Sequence, residues 1–193
     1  MSEQVKIVAL AGSTREKSFN RQALQVAVKG AREAGAEVEV VDLNEFQMPL
    51  FNQDLEANQG APDAVNRLRE IFKQSDGMLI ASPEYNGSLT PLLKNTIDWI
   101  SRPAGGDPGL VAFSGKTAAI LSASPGALGG LRGLVHLRAI LSGINVLVLP
   151  QQVAIPSASS AFADDGSIKD EKRNEAMLQL GRKLVETASR LRN

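Results

Sequence analysis

The chain contains no cysteine, and only one of its 193 residues is a histidine. Without thiols it cannot form a disulfide, a thiolate metal site or a cysteine nucleophile. His136 has no carboxylate cluster near it in the sequence, so we expect no metal site and assign His136 a structural or interface role. No serine–histidine–aspartate constellation can be placed either. We therefore predict no catalytic side chain and expect a bound cofactor to carry out the chemical step.

An excess of one charge is also absent, because 21 Lys and Arg residues balance 21 Asp and Glu residues. This balance gives no indication of a nucleic acid or an anionic membrane surface as a partner. No apolar run is long enough to span a bilayer, and the first residues do not look like a secretory signal. Since the lack of cysteine agrees with a reducing compartment, we expect a cytoplasmic protein.

The length and the 43% of hydrophobic residues predict a single domain over 1–193. Predicted strands cover 5–11, 38–43, 77–82, 117–124 and 145–149. Predicted helices cover 20–34, 63–74, 90–101, 130–142 and 170–192. This alternation favours an α/β fold with a five-stranded parallel sheet, helices on both faces and the flavodoxin-like order 2-1-3-4-5. In such sheets the loops after strands 1, 3 and 4 line one site.

The loop after the first strand is polar. Its hydroxyl, amide and guanidinium groups belong to Ser13, Thr14, Arg15, Ser18 and Asn20. It is not a Walker A loop, because Lys17 and Ser18 stand where that motif needs glycine and lysine, and it has no G-x-G-x-x-G fingerprint. Such donors at a helix N-terminus favour the binding of a ligand with one terminal monophosphate group. The alternative is an ordinary loop whose Ser18 or Asn20 merely caps the helix.

The loop after the third strand contains Pro83, Glu84, Tyr85, Asn86 and Gly87. Asn-Gly is a strong turn dipeptide, and the loop places backbone N–H groups and the one tyrosine at the predicted crevice. To bind a flat heteroaromatic ring, a protein needs main-chain donors for the ring's carbonyls and nitrogens and an apolar contact on one face, and this loop can supply both. The alternative is a simple turn in which the tyrosine only packs.

The loop after the fourth strand contains Ser124, Gly126, Gly129 and Gly130. Glycines let the main chain approach a ligand closely, so we expect this loop to contact the same ligand. Arg132 follows it and is interpreted either as a contact for a pyridine nucleotide or, preferably, as a surface or interface charge.

Three segments in this order carry a family resemblance: GSTR at 12–15 with Ser18 and Asn20, PEYNGS at 83–88, and LKNTIDW at 93–99. Over nearly its whole length the chain resembles the NADPH-dependent FMN reductases, a family that includes quinone, azo-dye and chromate reductases. The resemblance implies non-covalent FMN, with NADPH or NADH as co-substrate. It implies an oxidoreductase that passes electrons by a ping-pong route to quinones, azo compounds, chromate or similar small acceptors.

The resemblance also implies site residues. The FMN phosphate would be held by Ser13, Arg15, Ser18 and Asn20. The isoalloxazine would be bordered by residues 83–87, largely through backbone groups, and on its other side by the loop with Ser124 and Gly126. The family forms dimers or tetramers, and broad apolar stripes on the helices over 90–101 and 130–142 agree with a homodimer or homotetramer. Trp99 is compatible with either core or interface.

Two other functions are weighed. A flavodoxin-type electron carrier would bind FMN without its own NAD(P)H turnover, but such carriers are usually strongly acidic and flank the ring with aromatic side chains. The net charge of +0 and the aromatic content of 4% argue against it. A nucleotide hydrolase or transferase lacks support without a P-loop or a catalytic His/Asp pair.

Overall fold

The computed structural model describes residues 4–192, in which five parallel strands form one sheet in the order β2-β1-β3-β4-β5. The strands are β1 Lys6–Ala11, β2 Glu37–Val41, β3 Gly77–Ala81, β4 Thr117–Ala123 and β5 Leu147–Ile155. The helices are α1 Phe19–Glu33, α2 Gln53–Gln59, α3 Asp63–Lys73, α4 Pro91–Ile100, α5 Leu131–Gly143, α6 Ala158–Ala161 and α7 Glu171–Leu191. The predicted fold class and strand order are confirmed.

The central strands are buried on both faces, which explains why their sequences are apolar without polar alternation. Successive residues of β1 face two different cores. Ile7 and Ala9 belong to a core with α1 and α7, whereas Val8 and Leu10 belong to a core with α3, α4 and α5. The sheet is therefore covered by helices on both faces, and its carboxyl edge is left to the loops.

Helices α1 and α7 cross in direct backbone contact. A Cβ atom on Gly181 would lie 2.0 Å from the carbonyl oxygen of Ala27, and one on Gly30 would lie 2.0 Å from that of Leu178. Real Cβ atoms do not approach other atoms so closely, so both positions require glycine. These two glycines allow the close approach of α1 and α7.

The fold differs from the sequence prediction in β5, in α2 and in the four-residue helix α6, which was not predicted. Strand β5 starts at Leu147 and continues to Ile155, beyond the predicted end at 149, with a shift in its pairing to β4 between Ala118 and Ile120. It is an edge strand, and an edge position tolerates Pro150. Helix α2 was not predicted, because it has no buried residue and therefore no apolar period.

Trp99 belongs to the core of its own chain. Its side chain is fully buried, its indole N–H donates to the carbonyl oxygen of Pro49 at 2.8 Å, and its ring meets Phe51 edge-on.

Among residues 4–192, no helix has the length and apolar character needed to cross a membrane.

Candidate functional site

Hydrogen bonds beyond the strand ends hold three loops side by side at the carboxyl edge of the sheet. The Gly12 N–H donates to the Ala81 carbonyl at 2.8 Å, and the Ser82 N–H donates to the Leu121 carbonyl at 2.9 Å. The hydroxyl of Thr90, which caps α4, donates to the Gly12 carbonyl at 2.8 Å. The loops after β1, β3 and β4 therefore leave the sheet as one group, as the sequence predicts.

The loop after β1 presents a row of unpaired donors. Within the described part of the chain, the backbone N–H groups of Glu16, Lys17, Phe19 and Asn20 have no acceptor, whereas the Ser18 N–H closes a turn over residues 16–17. Arg15 and Thr14 are exposed beside them, and Ser13 and Ser18 are buried. The Ser18 hydroxyl oxygen accepts from the Arg21 N–H at 3.4 Å, so it caps α1 and keeps its own hydrogen for another acceptor. Successive free N–H groups at a helix N-terminus form an anion site.

Asn20 bonds to a residue of a distant loop, a contact that could not be predicted from sequence. Its side-chain amide donates to the Ala123 carbonyl at 2.8 Å and accepts from the Ala123 N–H at 3.0 Å. Both groups are buried, so this pair ties the start of α1 to the end of β4. The amide has one N–H hydrogen left for a ligand, and its main role in this geometry is to hold two loops together.

The loop after β3 turns tightly at Asn86 and Gly87. Tyr85 and Ser88 exchange two backbone hydrogen bonds of 2.9 and 3.0 Å, and both central residues have a positive φ, 52° and 82°. This is the hairpin turn that Asn-Gly favours. The N–H groups of Asn86 and Gly87 have no acceptor among residues 4–192, and a Cβ atom on Gly87 would meet nothing within 4 Å. The turn therefore borders open space with two free donors.

Glu84 joins this loop to helix α5. Its carboxylate accepts from the N–H groups of Arg132 at 3.1 Å and Gly133 at 3.3 Å, and it pairs with the Arg132 guanidinium. The residue before helix α5 is Gly130, which offers no side-chain cap, so Glu84 supplies the cap from another loop. The Glu84 side chain is 7% exposed and that of Arg132 is 64% exposed. Arg132 is thus a surface charge whose guanidinium is held by Glu84.

The loop after β4 needs two of its glycines for packing. Gly129 and Gly130 both have a positive φ, and a Cβ atom on Gly130 would lie 2.8 Å from the Ser122 side chain. Contacts within the chain therefore require glycine at both positions. Gly126 is exposed, and its N–H donates to the Ser124 hydroxyl at 3.3 Å.

His136 is exposed on α5, and its Nδ1 lies 2.9 Å from the Ser88 hydroxyl. No group of three or more His, Cys, Asp or Glu side chains suited to a metal ion occurs within residues 4–192.

Comparison with known proteins identifies the family. The NADPH-dependent FMN reductase family matches residues 5–160. An NAD(P)H-dependent FMN reductase of Pseudomonas aeruginosa is 42% identical over 93% of this chain and 92% of its own. A quinone reductase of Pseudomonas putida is 35% identical over 90% and 89% of the two chains. The structure of FerB, a flavoenzyme NAD(P)H:(acceptor) oxidoreductase from Paracoccus denitrificans, superposes with a TM-score of 0.77 at 29% identity, covering 95% and 98%.

The chain belongs to the NADPH-dependent FMN reductase family. It is an enzyme, an FMN-dependent NAD(P)H oxidoreductase, and the predictions of family, cofactor and reaction class are confirmed. The electron-carrier alternative is not supported.

The donors at the carboxyl edge fit the two ends of FMN. Four free N–H groups, two serine hydroxyls and Arg15 match a doubly charged monophosphate. Free N–H groups at Asn86 and Gly87 beside open space match the carbonyl and nitrogen acceptors of a flat ring.

Replacing Glu84 by alanine is expected to lower the free energy of unfolding at pH 7 by about 1–3 kcal/mol, because it leaves the first N–H groups of α5 without their cap. Burial raises the pKa of Glu84, but the bonds from Arg132 and the Gly133 N–H outweigh it and hold the pKa below the ordinary 4.5. A lowered carboxyl pKa stabilises the fold at pH values above 4.5, and this contribution is lost as the pH falls through the folded-state value.

Urea unfolding of Glu84→Ala and wild type from pH 7 downward measures this difference, which should shrink in acid. Glu45→Ala, at an exposed glutamate in the short 3-10 helix Leu43–Glu45, is the control and should change little. Equal stability of Glu84→Ala and wild type at pH 7 would show that the carboxylate does not cap α5.

Proposed function

We propose that the loops after β1, β3 and β4 bind FMN non-covalently, with its phosphate at residues 13–20. The free N–H groups of Glu16, Lys17, Phe19 and Asn20 beside Arg15 are the observation that carries this proposal. The residues proposed to bind the phosphate are Ser13, Thr14, Arg15, Ser18 and Asn20. Arg15 and the serine hydroxyls donate, while the helix dipole of α1 adds a positive end behind them.

The isoalloxazine ring is proposed to lie between the loops after β3 and β4. Its proposed neighbours are Pro83, Glu84, Tyr85, Asn86 and Gly87 on one side, and Ser124 and Gly126 on the other. The free N–H groups of the Asn86–Gly87 turn donate to the ring, and Glu84 acts by holding the turn against α5. Bound FMN supplies the centre that accepts hydride and passes on electrons.

The electron acceptor is proposed to be a quinone or a similar small molecule, such as an azo compound or chromate. The names of the quinone reductases of Pseudomonas putida and of other relatives support this class. NADPH or NADH and then the acceptor are proposed to occupy the same face of the flavin in turn, which is a ping-pong order. Tyr85 is 53% exposed at the rim and contacts whichever substrate is present.

The enzyme is proposed to be a cytoplasmic homodimer or homotetramer. Large apolar side chains are exposed at and just before the start of α5, at Leu128, Leu131 and Val135, the last 59% exposed, and Tyr85 is exposed on the loop that Glu84 joins to this helix. The apolar stripe of α4 is largely buried against the sheet, so α5 and its preceding loop offer the better interface. The absence of cysteine supports a reducing compartment.

Replacing Arg15 by alanine is expected to weaken FMN binding about 10- to 150-fold, because a hydrogen bond to a charged group contributes about 1.5–3 kcal/mol. Arg15 is exposed and makes no side-chain bond within residues 4–192, so the fold should be unaffected. Fluorescence titration of apoprotein with FMN measures the loss, and riboflavin, which has no phosphate, should bind both proteins equally.

Lys29→Ala, at an exposed cation farther along α1, is the matched control and should leave FMN affinity unchanged. An Arg15→Ala protein with wild-type FMN affinity would remove this residue from the phosphate site.

A further inference from the structure

A second cavity lies on the face of the sheet that carries α3 and α4. Its volume is about 770 Å³, and it opens between α2, α3 and the loop over 102–109. No residue proposed to bind FMN lines it. It reaches Lys73 and Asp107, which precede β3 and β4, and thus extends toward the amino ends of the strands. This cavity is therefore separate from the flavin site.

Three cations and three carboxylates line this cavity, but one of the cations has no ion-pair partner because Lys73 pairs with two carboxylates. Lys73 pairs with Asp107 at 2.6 Å and with Glu70 at 3.2 Å, and Arg102 pairs with Glu56 at 2.8 Å. Arg69 also lines the cavity but forms no ion pair with any described residue.

Arg69 is only 6% exposed. Its Nη2 donates to the Asn66 side chain at 2.6 Å, whereas its Nη1 is buried and has no hydrogen-bond partner within residues 4–192. A buried guanidinium without a counter-charge is costly, and an external anion would remove that cost.

We propose that this cavity binds a small monocarboxylic acid, with its carboxylate on the Arg69 guanidinium. A carboxylate matches the two-pronged donor geometry of arginine. A doubly charged phosphate is disfavoured, because Glu56, Glu70 and Asp107 line the same cavity and only one positive charge lacks a partner. Ala61, Pro103 and Ala104 give the acid's apolar body a surface to contact.

The expected affinity is weak. Because Nη1 is covered, the guanidinium must turn toward the cavity when the acid binds, and this rearrangement opposes binding. We expect benzoate, which combines one carboxylate with a flat apolar body, to bind with a Kd of roughly 1 mM.

Calorimetric titration of the FMN-loaded enzyme with benzoate tests the proposal. Benzamide, which is uncharged, and inorganic phosphate should bind at least about 10-fold more weakly. Arg69→Met and Arg69→Gln should each lose benzoate binding, and neither should unfold the protein because both remove an unpaired buried charge. Arg67→Met, at an exposed arginine of the same helix that does not line the cavity, should bind benzoate normally.

No benzoate binding to the wild type, or equal binding by both Arg69 variants, would overturn the proposal. The visible spectrum of the bound flavin is recorded in the same titration. A spectral change that persists in the Arg69 variants would assign benzoate to the flavin site and likewise refute a carboxylate site at Arg69.

Discussion

Replacing Gly181 by alanine is expected to lower the free energy of unfolding by about 3 kcal/mol or more, the upper range for overpacking a core. The new Cβ atom would lie 2.0 Å from the Ala27 carbonyl oxygen and 2.7 Å from the Ala31 nitrogen. These are backbone atoms, so no rotamer change relieves the contact, and α7 has to move away from α1. Urea unfolding at pH 7 measures the loss.

Gly143→Ala is the matched control, because Gly143 is also helical but a Cβ atom there would meet nothing within 4 Å. Alanine at an open helical position should leave stability equal or slightly higher. If the two variants were equally stable, the close crossing of α1 and α7 would be disproved.

Replacing Asn20 by alanine is expected to lower the free energy of unfolding by about 2–4 kcal/mol, because the N–H and carbonyl of Ala123 both lose their buried partner. It should also weaken FMN binding about 10-fold or more, since two loops of the site lose the pair that joins them. Thermal unfolding and titration of the apoprotein with FMN measure the two effects.

Riboflavin separates the two roles of Asn20. A residue that only binds the phosphate would not affect riboflavin, whereas a residue that positions both loops should weaken riboflavin as well. Asn44→Ala is the control, because Asn44 is exposed and donates to the Thr14 carbonyl at 3.2 Å without burying either group. Unchanged riboflavin affinity in Asn20→Ala would exclude the positioning role.

Much of the fold could be predicted because its determinants are local. Continuous apolar runs in β1, β3 and β4 indicate strands buried on both faces, and the helices between them imply parallel pairing. The second half of β5 could not be predicted, since Pro150, Gln151 and Gln152 break the apolar run and only pairing with β4 makes the segment a strand. Helix α2 likewise depends on its Asn52 cap and not on an apolar face.

The sequence was enough to predict which loops come together at the candidate site. Their order along the chain and the sheet topology are enough to bring residues 12–20, 82–90 and 124–130 together. The contacts that fix these loops were not predictable. Glu84 and Arg132 are 48 positions apart, and Asn20 and Ala123 are 103 apart, and no periodicity indicates where either polar side chain points.

Anaerobic reduction of the FMN-loaded enzyme tests the central claim most directly. We predict that NADPH or NADH bleaches the visible absorption of the bound flavin, and that a quinone added afterwards restores it, with no turnover in protein that lacks FMN. A protein that binds no FMN, or whose bound FMN keeps its full absorption with both nicotinamide donors, would contradict the assignment of an NAD(P)H-dependent FMN oxidoreductase.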